Sequence, residues 1–333
     1  MPRILIAGCG YVGQATGDLF HAAGWAVEGW THSAKSAARL SAKPYPVYGV
    51  DIADRAQIRA RAPAAAGFDA IIHCASSGGG GVEDYRQIYL NGARNLLIRF
   101  SGSQMLFTGS TSVYAQCDGS WVTEESETNP AREEGRILLE TEDLVLGDGG
   151  IVARLGGIYG PGRSALLTKF LSGTAMIDSE NDRFINQVHR DDIAAALFLL
   201  LNRPSLAREI YNVVDDQPIL QSDCYRWLAE RMNRPVPSIG KAKGQPKRGA
   251  SNKRVSNAKL RGLGWSCNIA RLPKRWKKAF CQASQSLFNK GWRPRPSQIP
   301  QERDSSGLAD SIHCQWAAKA FASRPTRPIF HKI

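Results

Sequence analysis

The chain opens on an apolar run, Arg3 to Gly8 (RILIAG), that meets three spaced glycines in Gly8-Cys9-Gly10-Tyr11-Val12-Gly13. It passes at once into a helical pattern from Tyr11 to Ala23 and then into a second apolar run, Trp25 to Thr31. A strand, a glycine turn, a helix and a strand in that order leave few folds open, because parallel strands need a crossover between them and the helix supplies it. Gly8 makes the turn, Gly10 lets another group approach the backbone, and Gly13 lets the helix lie close on the strand. The unpaired amides at the start of that helix favour an anion, and the spacing suits a pyrophosphate.

The alternation continues down the chain. Val47 to Val50, Asp69 to Cys74 (DAIIHC), Gln104 to Thr108 (QMLFT) and Ile151 to Leu155 read as strands, with helices expected over Glu83 to Phe100 and Pro130 to Leu146. After Gly160-Pro161-Gly162 a helical run from Asp192 to Leu201 precedes a last strand, Glu209 to Val214. Such alternation specifies the α/β class and a doubly wound parallel sheet, the Rossmann arrangement. The expected division is a dinucleotide-binding domain over 1–160, completed by about 186–216, and a small C-terminal substrate lobe from 161–185 and 217–285. Gly240 to Asn257, rich in Lys, Gly, Ser and Pro, reads as an exposed loop, and 286–333 as a basic tail without a folded pattern.

The net charge of +13 invites a nucleic-acid reading until it is located. Residues 1–240 hold 22 Lys plus Arg against 27 Asp plus Glu, whereas 241–333 hold 21 against 3. A mildly acidic body argues against a nucleic-acid groove in the fold and leaves only the tail for such a partner. Composition changes so abruptly past Trp265 that 266–333 is expected to be the product of a shifted reading frame; a disordered tail and a patch for an acidic partner are the alternatives. The seven cysteines are odd in number and scattered without a CxxC pair, so reduced thiols and no metal are expected. No apolar stretch reaches the roughly 18 residues of a membrane span, and a cytoplasmic protein with no membrane partner is expected.

Eight stretches then fall in a familiar order: GCGYVG, VDIAD at Val50 to Asp54, IIHCAS at Ile71 to Ser76, YLNGARNLL at Tyr89 to Leu97, FTGSTSVYA at Phe107 to Ala115, RLGGIYGPGR at Arg154 to Arg163, VHRDDIAAAL at Val188 to Leu197, and IYNVVDD at Ile210 to Asp216. From Ile4 to about Trp265 the chain resembles the extended or atypical short-chain dehydrogenases/reductases of the NAD-dependent epimerase/dehydratase family. The resemblance implies a nicotinamide dinucleotide on Gly8, Gly10, Tyr11, Val12 and Gly13. Asp51 and Ile52 would border the adenine, Cys74, Ala75 and Ser76 would run past the ribose and phosphates, and Asn91 would brace the sheet beneath. It also implies a small polar, sugar-nucleotide-like substrate and a homodimer through helices on one sheet face. At the end of the second strand an acid would accept the ribose 2′-hydroxyl; here Thr31, His32 and Ser33 stand there, with Lys35 close behind and Glu28 three residues early, which favours NADP over NAD.

Ser110 matches the family's active-site hydroxyl, three residues before Val113-Tyr114, and would hydrogen-bond the reacting oxygen of the substrate; a strand-end hydroxyl capping the next loop is its plain alternative. The family's YxxxK is not kept. With Glu140 as anchor, Arg132 stands where the Tyr belongs and Arg136 where the Lys belongs. A guanidinium stays protonated, so Arg132 cannot shuttle a proton as a phenol does, while Arg136 can still hold ribose hydroxyls. Tyr114, Tyr159, Glu133, Glu134 or a bound water are left as the acid, although the two glutamates also suit a helix N-terminus. The expected function is an NAD(P)-dependent oxidoreductase, epimerase or dehydratase with an atypical site; the alternative is a sensor or scaffold that binds the dinucleotide and catalyses nothing. Ser77 to Gly81 forms a lid or a plain connector, and His73 and His189 read as structural.

Overall fold

The computed structural model describes residues 1–62, 67–203, 205–240 and 251–267. The first crossover runs as the glycine spacing dictates, from β1 (Arg3–Ala7) through α1 (Tyr11–Ala22) to β2 (Ala26–Thr31), followed by α2 (Ala34–Ala38), β3 (Val47–Gly49) and α3 (Arg55–Arg61). The second half carries β4 (Ala70–His73), α4 (Val82–Tyr85), α5 (Gly92–Arg99), β5 (Gln104–Ser110), a short β6 (Trp121–Val122), α6 (Glu133–Gly147) and β7 (Ile151–Leu155). Beyond them lie β8 (Gly157–Tyr159), α7 (Ala165–Leu171), β9 (Ile177–Asp178), β10 (Phe184–Ile185), β11 (Gln187–His189), α8 (Arg190–Leu201) and β12 (Glu209–Val213). The last described elements are β13 (Ile219–Leu220), α9 (Gln221–Arg231), β14 (Ile239–Gly240), β15 (Arg254–Val255) and α10 (Ala258–Gly262).

Seven strands form one parallel sheet in the order β12-β7-β5-β4-β1-β2-β3, which is the expected doubly wound arrangement. Alternate residues of each strand face opposite layers. Ile4, Ile6, Ile72 and Leu106 pack with Phe20 of α1 and Ile193, Leu197 and Leu200 of α8. Leu5, Ile71, Met105 and Phe107 pack on the other face with Leu96 and Leu97 of α5 and Leu138 and Val145 of α6. A third cluster joins Leu167, Phe170 and Leu171 of α7 to Tyr225 and Leu228 of α9.

Three local expectations give way. The helix expected over Glu83 to Phe100 is divided by a π-helical stretch, Arg86–Asn91. Its cause is His73, wholly buried at the end of β4, whose Nε2 lies 3.1 Å from the Ile88 carbonyl and 3.3 Å from that of Tyr89. Both partners are acceptors, so Nε2 carries the proton, and a side chain bonded into a helix's carbonyl ladder widens the turn.

The run Gly240 to Asn257, expected as an exposed loop, is not exposed in its described part. Lys253 is buried, Val255 sits in the core beside Val113, Tyr114 and Val122, and β15 pairs parallel with β6. The Lys253 stem packs inward while Nζ donates to the Tyr114 carbonyl at 2.7 Å, and Asn257 Nδ2 donates to the Val214 carbonyl at 2.9 Å. Leu260 and Trp265 then pack with the residues of the α1–α8 face, although 217–285 was expected to belong to the lobe.

Asn91 does not brace the sheet; its amide exchanges hydrogen bonds with the side chains of Gln87 and Arg94. Asn95, one turn on and buried, is the inward amide of this helix and holds the loop after β3, its Nδ2 donating to the carbonyls of Ile52 and Ala53, both at 3.0 Å. The tail 286–333 and the reading-frame expectation for 266–333 lie, apart from residues 266 and 267, outside the described residues.

Candidate functional site

The strand order reverses between β1 and β4, the switch point outside whose carboxyl ends an open α/β sheet forms its ligand crevice. Gly8 leaves β1 with φ +105, a conformation that side chains rarely tolerate, and a Cβ there would stand 2.2 Å from the Ala75 nitrogen and 2.5 Å from the Cys74 carbonyl carbon. The glycine turn is thus wedged directly against Cys74-Ala75, the segment expected beside ribose and phosphates. Gly8 and Cys9 both donate to the Trp30 carbonyl, at 3.0 and 2.7 Å, which fixes the turn on β2. Gly10 differs: a Cβ on it would meet only the Gly8 carbonyl oxygen, at 3.9 Å, so this residue faces open space at the start of α1. Tyr11, Val12 and Gly13 follow as the first turn of that helix.

Two thiols flank the turn. Burial pushes the Cys9 thiol up to about 11 and Cys74 higher still, and the Cys74 thiol donates to the Gly8 carbonyl. Neither is a nucleophile at neutral pH.

At the far end of the crevice the hydroxyls are already engaged. Thr31 is buried and donates to the carbonyls of Ser33 and Tyr48, while the Ser33 hydroxyl accepts from the Ser36 amide as the cap of α2. His32 is 77% exposed, leaving its ring open to a ligand, and its Nδ1 lies 3.8 Å from Asp51 Oδ2. Asp51 therefore sets a carboxylate beside the end of β2, where the local sequence has none. Its other oxygen accepts from the Ala53 amide, and Ile52 beside it is buried. Glu28 is held away, accepting from Trp30 Nε1 at 2.8 Å and pairing with Arg61 at 3.1 Å. Ser76 accepts from the Gly78 amide, and Gly81 donates to Asp84 Oδ2, so both ends of the glycine-rich loop are tied.

Ser110 closes β5 half-buried, its hydroxyl accepting from the Ser112 amide at 3.2 Å. That bond leaves the hydroxyl proton available to another acceptor. Arg132 is the residue before α6 and pairs with Glu134; Arg136 is 62% exposed and pairs with Glu133, which also meets Arg86. Both glutamates thus have cationic partners, and the Arg132 bond holds the Glu134 carboxyl below the usual range.

Two tyrosines weighed as replacement acids are removed by their surroundings. Tyr114 is wholly buried, donates to Asn212 Oδ1 at 2.9 Å and accepts from Arg154 Nη1 at 2.8 Å; burial raises its pKa. Tyr159 is buried edge-on against His189. His73 is neutral, burial lowering it to about 4. Sequence reasoning missed Lys253, whose ammonium on the Tyr114 carbonyl is brought down to about 8 by burial and, less, by the nearby Arg183. One Lys among several in a polar, basic run carries no signal of burial.

The model of the NAD dependent epimerase/dehydratase family matches residues 4–137. Protein YeeZ of Escherichia coli K12 is 30% identical over 224 residues, which make up 64% of this chain and 77% of YeeZ. The chain belongs to the NAD-dependent epimerase/dehydratase family. Solved structures agree in fold. A short-chain dehydrogenase/reductase superfamily protein from Agrobacterium tumefaciens with bound NAD superposes with a TM-score of 0.70 at 17% identity, covering 87% of this chain and 100% of that one. UDP-glucuronic acid 4-epimerase from Bacillus cereus, in complex with NAD, gives a TM-score of 0.68 at 15% identity over 86% of this chain and 99% of its own. For this member of the family, no described helix is long and apolar enough to cross a membrane, and no group of three or more His, Cys, Asp or Glu among the described residues could hold a metal ion.

Proposed function

We propose that this protein is a nicotinamide-dinucleotide-dependent oxidoreductase of the epimerase/dehydratase kind, acting on a small polar, sugar-nucleotide-like substrate. The observation that carries the proposal is the wedge of Gly8 against Cys74-Ala75 with Gly10 left facing open space. Such a cradle is of use to a ligand that must lie on bare backbone at a helix N-terminus. Gly8, Gly10, Tyr11, Val12 and Gly13 would hold the pyrophosphate, Cys74, Ala75 and Ser76 would border the ribose, and Asp51 and Ile52 the adenine. Bound there, the dinucleotide supplies the hydride chemistry.

The chain's own residues would do the rest. Ser110 donates a hydrogen bond to the reacting oxygen of the substrate. Arg136, its charge offset in part by Glu133, would hold ribose hydroxyls through its remaining N–H groups. Water at Ser110 carries the proton, since Tyr114 and Tyr159 are walled in and Glu133 and Glu134 hold cations. His32, just after β2, and Lys35, in the first turn of α2, are both exposed and favour a 2′-phosphate and so NADP, with Asp51 pulling the other way. Titrating the purified protein with NADH and NADPH tests the binding, and an NADPH dissociation constant no lower than that for NADH would remove the NADP preference. Incubation with a panel of sugar nucleotides and carbonyl compounds tests turnover.

The second reading, a dinucleotide sensor or scaffold, is favoured by one observation: both arginines that replace the usual proton-transfer pair are spent in ion pairs at the start of α6. Tight binding without consumption of cofactor across the panel would decide for it.

A further inference from the structure

Tyr11 begins α1, and its side chain leaves the glycine turn toward two guanidiniums that the glycine motif does not announce. Arg163, in the loop after β8, and Arg190, at the start of α8, each lie 5.2 Å from the Tyr11 ring centroid. The Tyr11 hydroxyl donates to the Pro161 carbonyl at 3.0 Å and ties that loop to the glycine turn. Gly160 makes the approach feasible: its φ is +149, and a Cβ there would stand 2.7 Å from the Tyr11 oxygen, 3.1 Å from His189 Nε2 and 3.3 Å from Arg190 Cβ. Gly160 and Arg163 also exchange backbone hydrogen bonds at 2.9 and 3.0 Å, so Arg163 stands on a closed loop.

The charges at this place do not balance. Arg190 has Asp191, at 2.8 Å. The Arg163 guanidinium makes no hydrogen bond or ion pair among the described residues, and it is exposed. Two cations lie within cation–π distance of the Tyr11 ring and only Arg190 has a carboxylate, beside a helix start whose amides already favour negative charge. The excess is one positive charge, which an added anion would balance.

We propose that Arg163 and Arg190, set on Tyr11, form a cationic clasp for the phosphate groups of the dinucleotide, with Arg163 as the half that contributes new binding. The proposal rests on the cofactor reading of the glycine turn. It adds a side-chain contact to what the backbone supplies, and it assigns a task to the Gly160-Pro161-Gly162-Arg163 loop. A charge-assisted arginine–phosphate contact is among the stronger hydrogen bonds, and its loss weakens binding by about tenfold or more.

The test is fluorescence titration of the full chain with NADH and NADPH at two ionic strengths, on wild type, Arg163→Gln and Tyr11→Phe. Arg163→Gln is expected to weaken both dinucleotides by about tenfold, equally, and to flatten the salt dependence, with the melting temperature unchanged because the residue holds no ion pair. Tyr11→Phe, which frees the loop, is expected to weaken binding by less. Inorganic pyrophosphate should displace NADH from wild type more readily than from Arg163→Gln. If wild type binds and Arg163→Gln matches it in affinity and salt dependence, the clasp is overturned while the cofactor reading stands. An Arg163→Gln variant that keeps NADH but loses UDP would place the arginine on a substrate phosphate and likewise overturn the clasp. Absence of uptake by folded wild type overturns the cofactor reading and the clasp together.

Discussion

Arg154 on β7 and Glu142 on α6 meet with both side chains almost wholly out of water, at 4% and 2% exposure. Nη2 lies 2.7 Å from Oε2, and Nε lies 3.2 and 3.1 Å from the two carboxylate oxygens. The same guanidinium donates through Nη1 to the Tyr114 hydroxyl at 2.8 Å, and Tyr114 passes the chain of bonds to Asn212 of β12. The pair therefore sets the helix that begins at Glu133 against the segment that follows Ser110.

Removing one partner of such a pair strands a buried charge, which costs roughly 3–5 kcal/mol. Glu142→Leu is expected to lower the free energy of urea unfolding by about that amount. The double change Glu142→Leu with Arg154→Met is expected to recover at least half of the loss, because apolar replacement removes both desolvated charges together. A double variant no more stable than the single one would show that the pair is not the source of the effect.

His73 gives the stability a pH-dependent limb. Its imidazole is lowered from 6.5 to about 4 by burial, so the folded state binds the proton less readily than the unfolded chain. The contribution is present above about pH 6.5 and is lost as pH falls toward 4, a change on the order of 3 kcal/mol. Asp215 opposes it: burial pushes that carboxyl up to about 7, so its neutral form stabilises the fold as pH falls below 7. Wild type and His73→Asn should therefore be compared by urea unfolding at steps between pH 4 and 7.5. The stability difference is expected to shrink as pH falls through the window, and a difference that stays level would exclude His73 as its source.

The sheet and its crevice were legible in the sequence because their residues obey a local rule. RILIAG, DAIIHC and QMLFT are apolar runs bounded by turn residues, and three glycines at fixed offsets need no tertiary partner to be recognised. What stayed hidden depends on contacts distant in the chain. Asn95 rather than Asn91 holds the loop after β3, because only the helical phase set by His73 decides which amide points there. Lys253 is buried by the Tyr114 carbonyl 139 residues away, and Asp51 reaches His32 across two strands. Arg132 and Arg136 were read from the sequence as proposed stand-ins for the family's Tyr and Lys; their pairing with Glu134 and Glu133 was suggested only as a preference for acid at a helix start.

Gly8 and Gly10 should separate folding from binding. A methyl group on Gly8 would run into the Ala75 backbone at 2.2 Å, so Gly8→Ala is expected to lower the melting temperature and the soluble yield. Gly10→Ala meets nothing nearer than 3.9 Å and is expected to melt as wild type does. Its methyl would nevertheless stand where the pyrophosphate must approach the backbone, and NADH affinity is expected to fall by about tenfold or more. Gly10→Ala that binds NADH normally would remove the glycine turn from the binding site.

On the proposed alignment Arg132→Tyr restores the phenol of the family's YxxxK pattern, and a lapsed enzyme would respond to it. The surroundings argue for a small response. Arg136, four residues on, is 62% exposed and shares Glu133 with Arg86, so the cation that should lower a new phenol's pKa is largely offset and screened. A phenol left near its ordinary pKa of about 10 is a poor proton carrier at neutral pH. The change also releases Glu134 from its ion pair. On whichever panel substrate turns over, kcat/KM is expected to rise less than about threefold, well short of the 10² to 10⁴ typical of acid–base catalysis, with no new limb in its pH profile. A gain of tenfold or more with a new ionisation near neutrality would mean that the site still awaits its tyrosine, and the water route at Ser110 would have to be given up.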